Sequence, residues 1–227
     1  LNRRYQSWHM SLKSLGKPEF KGQGRTHLIV ARIGTDIIAG MMGSFMGLQT
    51  HNISFGVVWY FCVRPKYPAN KFIEILAALY KKTIEDLQRD AKLFGYEQNY
   101  GGVFLELEDA PNLAKQGLAE KDLMKTAATL DKLYRRSGFK KLKFDYIQIP
   151  PGLNQESVRN LNLMILPMGV MGEKWKKIGG IPQQQFLTML YLFAYDLVEE
   201  YNPDEHEDFN KMVDEINHNI IVTFAKL

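Results

Sequence analysis

The feature that most constrains the fold is a strand–helix–strand–helix order across residues 53–139. Ile53–Val63 is almost entirely apolar, which predicts a central strand covered on both faces. Residues 70–93 carry apolar side chains at helical spacing and charged side chains on the other face, so they predict an amphipathic helix. Residues 102–108 predict a second strand, and residues 122–136 predict a second helix. Alternating strands and helices of this kind are typical of α/β proteins.

The N-terminal part of the chain predicts a helix and then a β-hairpin. Apolar residues recur at helical spacing over residues 1–20, which predicts the helix. After a predicted loop at residues 21–24, residues 27–32 and 37–47 predict two strands joined by a tight turn. The second of these strands is rich in glycine and methionine. We therefore expect a bulge or a close backbone approach there, and methionine side chains that fill the core.

The C-terminal part predicts two more strands and then a helical segment. Residues 141–149 and 161–166 predict the strands. Residues 168–180 are rich in glycine and lysine and predict a loop. Residues 182–201 predict an amphipathic helix, and residues 202–226 predict another. Together these two helices predict a C-terminal helical extension.

Charge and hydropathy restrict the class of partner. The chain of 227 residues has 29 basic and 25 acidic residues, a formal net charge of +4. Because the lysines and arginines are dispersed rather than gathered in one run, this excess predicts no nucleic-acid partner. No apolar run approaches the ~20 residues needed to cross a bilayer, so we expect no membrane partner.

Cysteine and histidine usage indicates neither a disulfide nor a metal site. Cys62 is the only cysteine, which excludes an internal disulfide and fits a reducing cytoplasm. Its position within an apolar strand predicts a buried structural thiol rather than a nucleophile. The run Glu205-His206-Glu207-Asp208 contains residue types that bind metals. Acidic residues also favour a helix N-terminus, and we favour that interpretation.

The motif Leu133-Tyr134-Arg135-Arg136-Ser137-Gly138-Phe139 follows the second predicted helix. This motif and the order of the elements resemble the acyl-CoA-binding half of the Gcn5-related N-acetyltransferase (GNAT) superfamily, over about residues 26–166. The resemblance implies an α/β fold with a mixed, mostly antiparallel twisted sheet, a parallel strand pair at its centre and helices on both faces. It implies a GNAT-like acyltransferase domain, residues 1–167, with a helical extension, residues 168–227, packed on it. The implied activity is that of a cytoplasmic N-acyltransferase whose co-substrate is acetyl-CoA or another acyl-CoA.

The resemblance also implies a set of cofactor-binding residues. In the superfamily, the turn after the central strand holds the CoA pyrophosphate through backbone N–H groups at a helix N-terminus. Here that turn lacks the family's glycines, since Pro68 has no N–H to donate and Lys71 and Ile73 replace small residues. The strand backbone before the turn would polarise the thioester carbonyl. The implied cofactor-binding residues are Phe61, Cys62, Val63, Lys66, Ala69, Asn70 and Lys71.

Direct attack of an amine on a thioester needs a general base for the ammonium and an acid for the leaving thiolate. Tyr134 lies four residues before Gly138, at the position of the family's thiolate-protonating tyrosine, although packing on the sheet is the alternative. Trp59 occupies the place of the glutamate that serves many members as the base. Glu106 and Glu108 lie two apart on the next strand, hence on one face, and Glu106 is the candidate base that we prefer.

Two other functions stay open at this point. The glycine-free turn and the missing central-strand glutamate also fit a catalytically inactive GNAT-like module that serves a larger protein as a binding or regulatory part. A third interpretation is an aminoacyl- or peptidoglycan-related transferase of similar fold. The expected partner of the enzyme is a small-molecule or peptide amine acceptor, and the sequence leaves homodimer formation open.

Overall fold

The computed structural model describes residues 4–11, 22–64, 69–109, 121–150, 152, 155–159, 161–198 and 202–225. The chain divides into two compact units, Leu1–Val103 and Phe104–Leu227. The predicted C-terminal extension lies within the second unit, and its status as a separate domain stays a prediction.

Within the described residues the chain forms nine strands and five α-helices. The strands are β1 (Arg4–Ser11), β2 (Gly22–Ile33), β3 (Asp36–Leu48), β4 (Ile53–Val63), β5 (Tyr100–Glu108), β6 (Lys140–Lys141), β7 (Leu161–Pro167), β8 (Gly180–Pro182) and β9 (Ile221–Thr223). The helices are α1 (Ala69–Leu93), α2 (Lys121–Arg136), α3 (Gly169–Ile178), α4 (Gln183–Leu197) and α5 (Glu207–Asn217).

The strands build a sheet of seven, in the order β1-β2-β3-β4-β5-β7-β6, and a separate pair, β8-β9. The β1–β2, β2–β3, β3–β4, β6–β7 and β8–β9 pairings are all antiparallel. The predicted fold class, an α/β protein with a mostly antiparallel sheet flanked by helices, is therefore confirmed. The parallel pair at the centre of the sheet stays a prediction.

The core of the first unit lies where α1 packs on β2, β3 and β4. The apolar stripe of α1 is buried, as its sequence pattern predicts. A bulge interrupts the β3–β4 register between Met42 and Gly43, and a Cβ at Gly43 would lie 2.7 Å from the Thr83 Cγ2 atom of α1. The predicted bulge and close backbone approach are thus confirmed. Met41 and Met46 are buried, which confirms the predicted core role of these methionines.

The core of the second unit forms around buried aromatic side chains of its helices. Trp175 of α3, Phe186 of α4 and Phe209 of α5 are each no more than 1% exposed. The chain directly after β9 lies along the edge of the larger sheet, since Leu142 forms an antiparallel bridge with Phe224. The short β6 is thus held by β7 on one edge and by the chain after β9 on the other.

Two predictions in the N-terminal part were wrong. Arg4–Ser11 is a strand paired with β2 rather than a helix, and residues 22–24 belong to β2 rather than to a loop. The remaining residues of the predicted helix lie outside the described part. Backbone hydrogen bonds to a neighbouring strand decide this conformation, and a local periodicity of apolar residues does not reveal such a partner.

Three predictions in the C-terminal part were also wrong. Residues 141–149 are mostly irregular, with isolated bridges at Leu142 and Gln148. The predicted loop at residues 168–180 contains α3, because burial of Trp175 outweighs the low helix propensity of glycine. The last predicted helix ends at Asn217, after which a β-branched run pairs with β8 as β9, so the extension is not wholly helical.

Candidate active site

The second unit holds a glutamate whose two carboxylate oxygens both accept hydrogen bonds. The Tyr146 hydroxyl donates to Oε1 of Glu106, and Nε2 of Gln148 donates to Oε2 at 2.7 Å. Glu106 lies on β5, whereas Tyr146 and Gln148 lie on the irregular segment that follows β6. We call these three residues the Glu106 cluster.

Packing fixes the two donors of the Glu106 cluster. Tyr146 is buried, and the ring of Phe144 packs edge-on against both Tyr146 and Phe186, with centroids 5.9 and 5.2 Å away. Gln148 exchanges both backbone hydrogen bonds with Val158. Because the ring of Tyr146 and the backbone of Gln148 are held in this way, both donors are oriented toward the Glu106 carboxylate before any substrate binds.

The electrostatics of the Glu106 cluster suit proton transfer near neutral pH. Burial raises the pKa of Glu106 to about 7, although the hydrogen bond from Tyr146 acts in the opposite direction. Burial and the nearby Glu106 carboxylate raise the pKa of Tyr146 well above its ordinary value, so the phenol keeps its proton and remains a donor. Each carboxylate oxygen retains a second lone pair, which leaves Glu106 able to accept a proton.

Tyr134 has a clear structural role at the end of α2. The N–H of Gly138, whose φ is 94°, donates to the carbonyl of Arg135, and the N–H of Phe139 donates to the carbonyl of Tyr134. The rings of Tyr134 and Phe139 pack edge-on with centroids 5.5 Å apart. This is a Schellman motif with its usual apolar contact. The motif that carries the family resemblance is therefore also the signal that ends α2, and the acid role of Tyr134 stays a prediction.

The predicted cofactor-binding residues lie at the end of β4 and the start of α1. The half-buried ring of Phe61 packs against Phe72 at 5.4 Å, and Val63 is also half-buried. Lys66 lies outside the described residues. Ala69, Asn70 and Lys71 form the first turn of α1, where the structure describes the backbone alone, so the pyrophosphate role of this turn stays a prediction. Asn70 and Lys71 are the second and third residues of α1.

Cys62 was wrongly predicted to be buried. Its side chain is exposed, because burial along β4 is complete only up to Val58 and alternates from Trp59 onward. The interpretation of β4 as covered on both faces therefore holds for the first half of the strand and fails for the second. Trp59, which stands in place of the family's glutamate, donates from Nε1 to the hydroxyl of Ser44 at 2.8 Å.

Tyr146 and Gln148 were not identified as site residues from the sequence. Tyr146 and Gln148 are polar residues on either side of the apolar Ile147, and residues two apart in an extended segment face the same side. This pattern could have predicted that their side chains lie together. The acidic run near residue 206 starts α5, as expected, since Nδ1 of His206 accepts the N–H of Asp208. In the part of the chain that the structure describes, no group of three metal-ligating side chains comes together.

The fold and the Glu106 cluster define an α/β protein with an oriented carboxyl group that titrates near neutrality. No protein-family model matches the chain, and no curated protein matches it significantly. Among solved structures, the crystal structure of Arabidopsis thaliana NAA60 in complex with acetyl-CoA matches with 13% identity and a TM-score of 0.36. The match covers 64% of this chain and 76% of that one, and a similarity this low does not define an activity. Among the described residues, no helix is long and apolar enough to cross a membrane.

Proposed function

We propose that this protein is an acyl-CoA-dependent N-acyltransferase in which Glu106 is the general base. The observation that carries the proposal is the Glu106 carboxyl group, whose pKa of about 7 comes from burial and whose orientation comes from Tyr146 and Gln148. A base is most effective when its pKa lies near the working pH. An amine nucleophile is protonated at that pH, so the reaction depends on such a group.

The proposed reaction proceeds by direct transfer. Glu106 takes a proton from the acceptor ammonium, and the amine nitrogen attacks the carbonyl carbon of the thioester. The carbon–sulfur bond then breaks, and the thiolate takes a proton from the proposed acid, Tyr134. The acylated nitrogen loses its second proton, which restores the Tyr134 hydroxyl, directly or through water. By the family resemblance, a backbone N–H near Phe61 or Cys62 polarises the carbonyl, and Lys66, Ala69, Asn70 and Lys71 lie at the pyrophosphate. Cys62 has no nucleophilic role in this mechanism.

The proposed donor is acetyl-CoA, and the proposed acceptor is a small-molecule or peptide amine. The proposed location is the cytoplasm. The first test is calorimetric titration of the protein with acetyl-CoA and with CoA. Micromolar binding supports the proposal, whereas no binding at millimolar concentration overturns it in favour of an inactive GNAT-like binding module.

The second test follows acetyl transfer to a panel of amines by release of free thiol. Substitution of Glu106 by Gln removes the proton acceptor but keeps the shape of the side chain, so kcat should fall by about 100-fold or more. Glu108→Gln is the matched control, since Glu108 lies two residues further along the same strand. Equal loss in both variants, or no loss in Glu106→Gln, contradicts the base assignment.

A further inference from the structure

A large basic cleft opens in the second unit beside β6. Its volume is about 1490 Å³, and its lining includes four cationic side chains, Arg135, Lys140, Lys141 and Lys143. Small-molecule sites usually have volumes of about 300–1,000 Å³, so this cleft exceeds what such a ligand fills. It therefore suits an extended ligand rather than a compact one.

The positive charge of the basic cleft is only partly neutralised. Arg135 is paired with Asp131 at 2.8 Å, and Nζ of Lys141 lies 4.0 Å from a carboxylate oxygen of Asp109. Within the described residues, Lys140 and Lys143 form no ion pair. The exposed Lys143 and the half-buried Lys140 are consequently available to pair with a negatively charged ligand.

The spacing of the lysines fits carboxylates distributed along a peptide. Lys140 and Lys141 form β6, and the chain bends at Lys143, whose backbone N–H donates to the carbonyl of Thr223. An extended chain rises ~3.3 Å per residue, so the three lysines spread over no more than ~10 Å. Acidic side chains two apart in an extended peptide repeat every ~7 Å, so at least two of them fall within this length. A phosphate group instead needs several donors that converge on one point.

Two acidic residues in the same cleft argue against nucleic acid as its ligand. Asp145 and Glu215 also belong to the lining, and the Glu215 carboxylate accepts the backbone N–H of Asp145 at 3.2 Å. A nucleic-acid backbone carries one negative charge per nucleotide without interruption, which these carboxylates would repel. A peptide can place glutamates at the lysines and neutral or basic residues at Asp145 and Glu215.

We propose that the basic cleft binds an extended acidic segment of a partner protein. Half-buried apolar residues also line the cleft, among them Ile221 and Phe224, and they would pack against the uncharged side chains of such a segment. The lining of the cleft includes none of the residues proposed to bind acyl-CoA, so the proposal does not depend on acyl-CoA binding.

The test is fluorescence anisotropy with a labelled peptide of about ten residues in which glutamate alternates with serine, long enough at ~3.3 Å per residue to extend past all three lysines. The variant Lys140→Glu/Lys143→Glu should bind this peptide about tenfold more weakly or worse, since two attractive charges become repulsive. The matched control is Lys174→Glu/Lys177→Glu, which changes the net charge equally at exposed α3 positions outside the cleft. Its affinity should stay within about twofold of that of the native protein.

Three outcomes overturn the proposal. They are equal loss of binding in both double variants, equal binding of a peptide in which lysine replaces glutamate, and tighter binding of a single-stranded RNA of the same charge. Circular dichroism and urea unfolding of each variant verify that the compared proteins are folded. If the glutamate variant is unstable, a Lys140→Gln/Lys143→Gln variant replaces it. This variant removes the charges without adding repulsion, so its affinity for the peptide should lie between those of the native protein and the glutamate variant.

Discussion

His27 of β2 and Asp90 of α1, 63 residues apart in the sequence, meet in the core of the first unit with Nε2 of the imidazole against Oδ2 of the carboxylate. Both side chains are fully buried, and Nη1 of Arg25 reaches the other carboxylate oxygen at 3.1 Å. This contact ties the helix to the sheet through a charged group rather than through apolar packing alone.

Removing the carboxylate should destabilise the protein strongly. Asp90→Ala removes the carboxylate that faces the buried imidazole of His27, so we expect the free energy of unfolding to fall by about 3–5 kcal/mol. Glu85→Ala, at an exposed position on the same helix, should change it by less than about 0.5 kcal/mol. Urea unfolding measures both values, and a small effect of Asp90→Ala would show that the cluster contributes little to stability.

The close approach of α1 to β3 predicts that two glycines of one strand tolerate a methyl group differently. In Gly43→Ala, the added Cβ lies 2.7 Å from Thr83 Cγ2 and 3.3 Å from the carbonyl oxygen of Val57, which should cost about 1–3 kcal/mol. In Gly40→Ala, the nearest atom is the Cys62 sulfur at 3.6 Å, an ordinary contact, so the stability should change little. Thermal unfolding compares the two variants, and equal effects would contradict the close approach.

The raised pKa of Glu106 predicts how stability depends on pH. The Glu106 carboxyl group keeps its proton up to about pH 7 in the folded state but only up to about pH 4.5 in the unfolded state. Its stabilising contribution to the free energy of unfolding is therefore complete below pH 4.5 and is lost as the pH rises through 7. The loss is on the order of 3 kcal/mol, since one pKa unit corresponds to about 1.4 kcal/mol. The difference in unfolding free energy between native protein and Glu106→Gln, measured by urea unfolding across this range, should show this slope. A pH-independent difference would mean that Glu106 titrates normally.

The hydrogen bond from Tyr146 predicts a shift in the pH profile of the enzyme. This bond stabilises the ionised carboxylate and so lowers the pKa of Glu106. In Tyr146→Phe the pKa should rise, and the rise of kcat/KM with pH should move to higher pH. If Tyr146 only supports the fold, the variant changes kcat/KM at every pH by the same factor and leaves the profile in place.

The proposed acid role of Tyr134 predicts a selective loss of turnover. Tyr134→Phe retains the ring that packs against Phe139 but removes the hydroxyl proton. We expect kcat to fall while the affinity for acetyl-CoA, measured by calorimetry, changes little. An unchanged kcat would leave Tyr134 with its helix-capping role alone.

Several elements agree closely between sequence and structure, and each has a strong local pattern. Ile53–Val63 is predicted with its observed bounds, and α1 and α2 begin within one residue of the predicted position. Apolar periodicity, and the glycine that ends α2, act over a few residues of chain. Two of the wrong predictions, at β1 and α3, concern segments whose conformation depends on a distant strand or on the burial of one tryptophan.

The sequence by itself determined the α/β class, the main strands and helices, and Glu106 as a candidate base, because these follow from local patterns of apolar and charged residues. Tertiary structure alone decided that Tyr146 and Gln148 meet Glu106 across 40 and 42 residues of chain, and that Cys62 is exposed. Proton affinity and accessibility depend on what surrounds a side chain in space. Neighbours that lie far apart along the chain are brought together only when the chain folds.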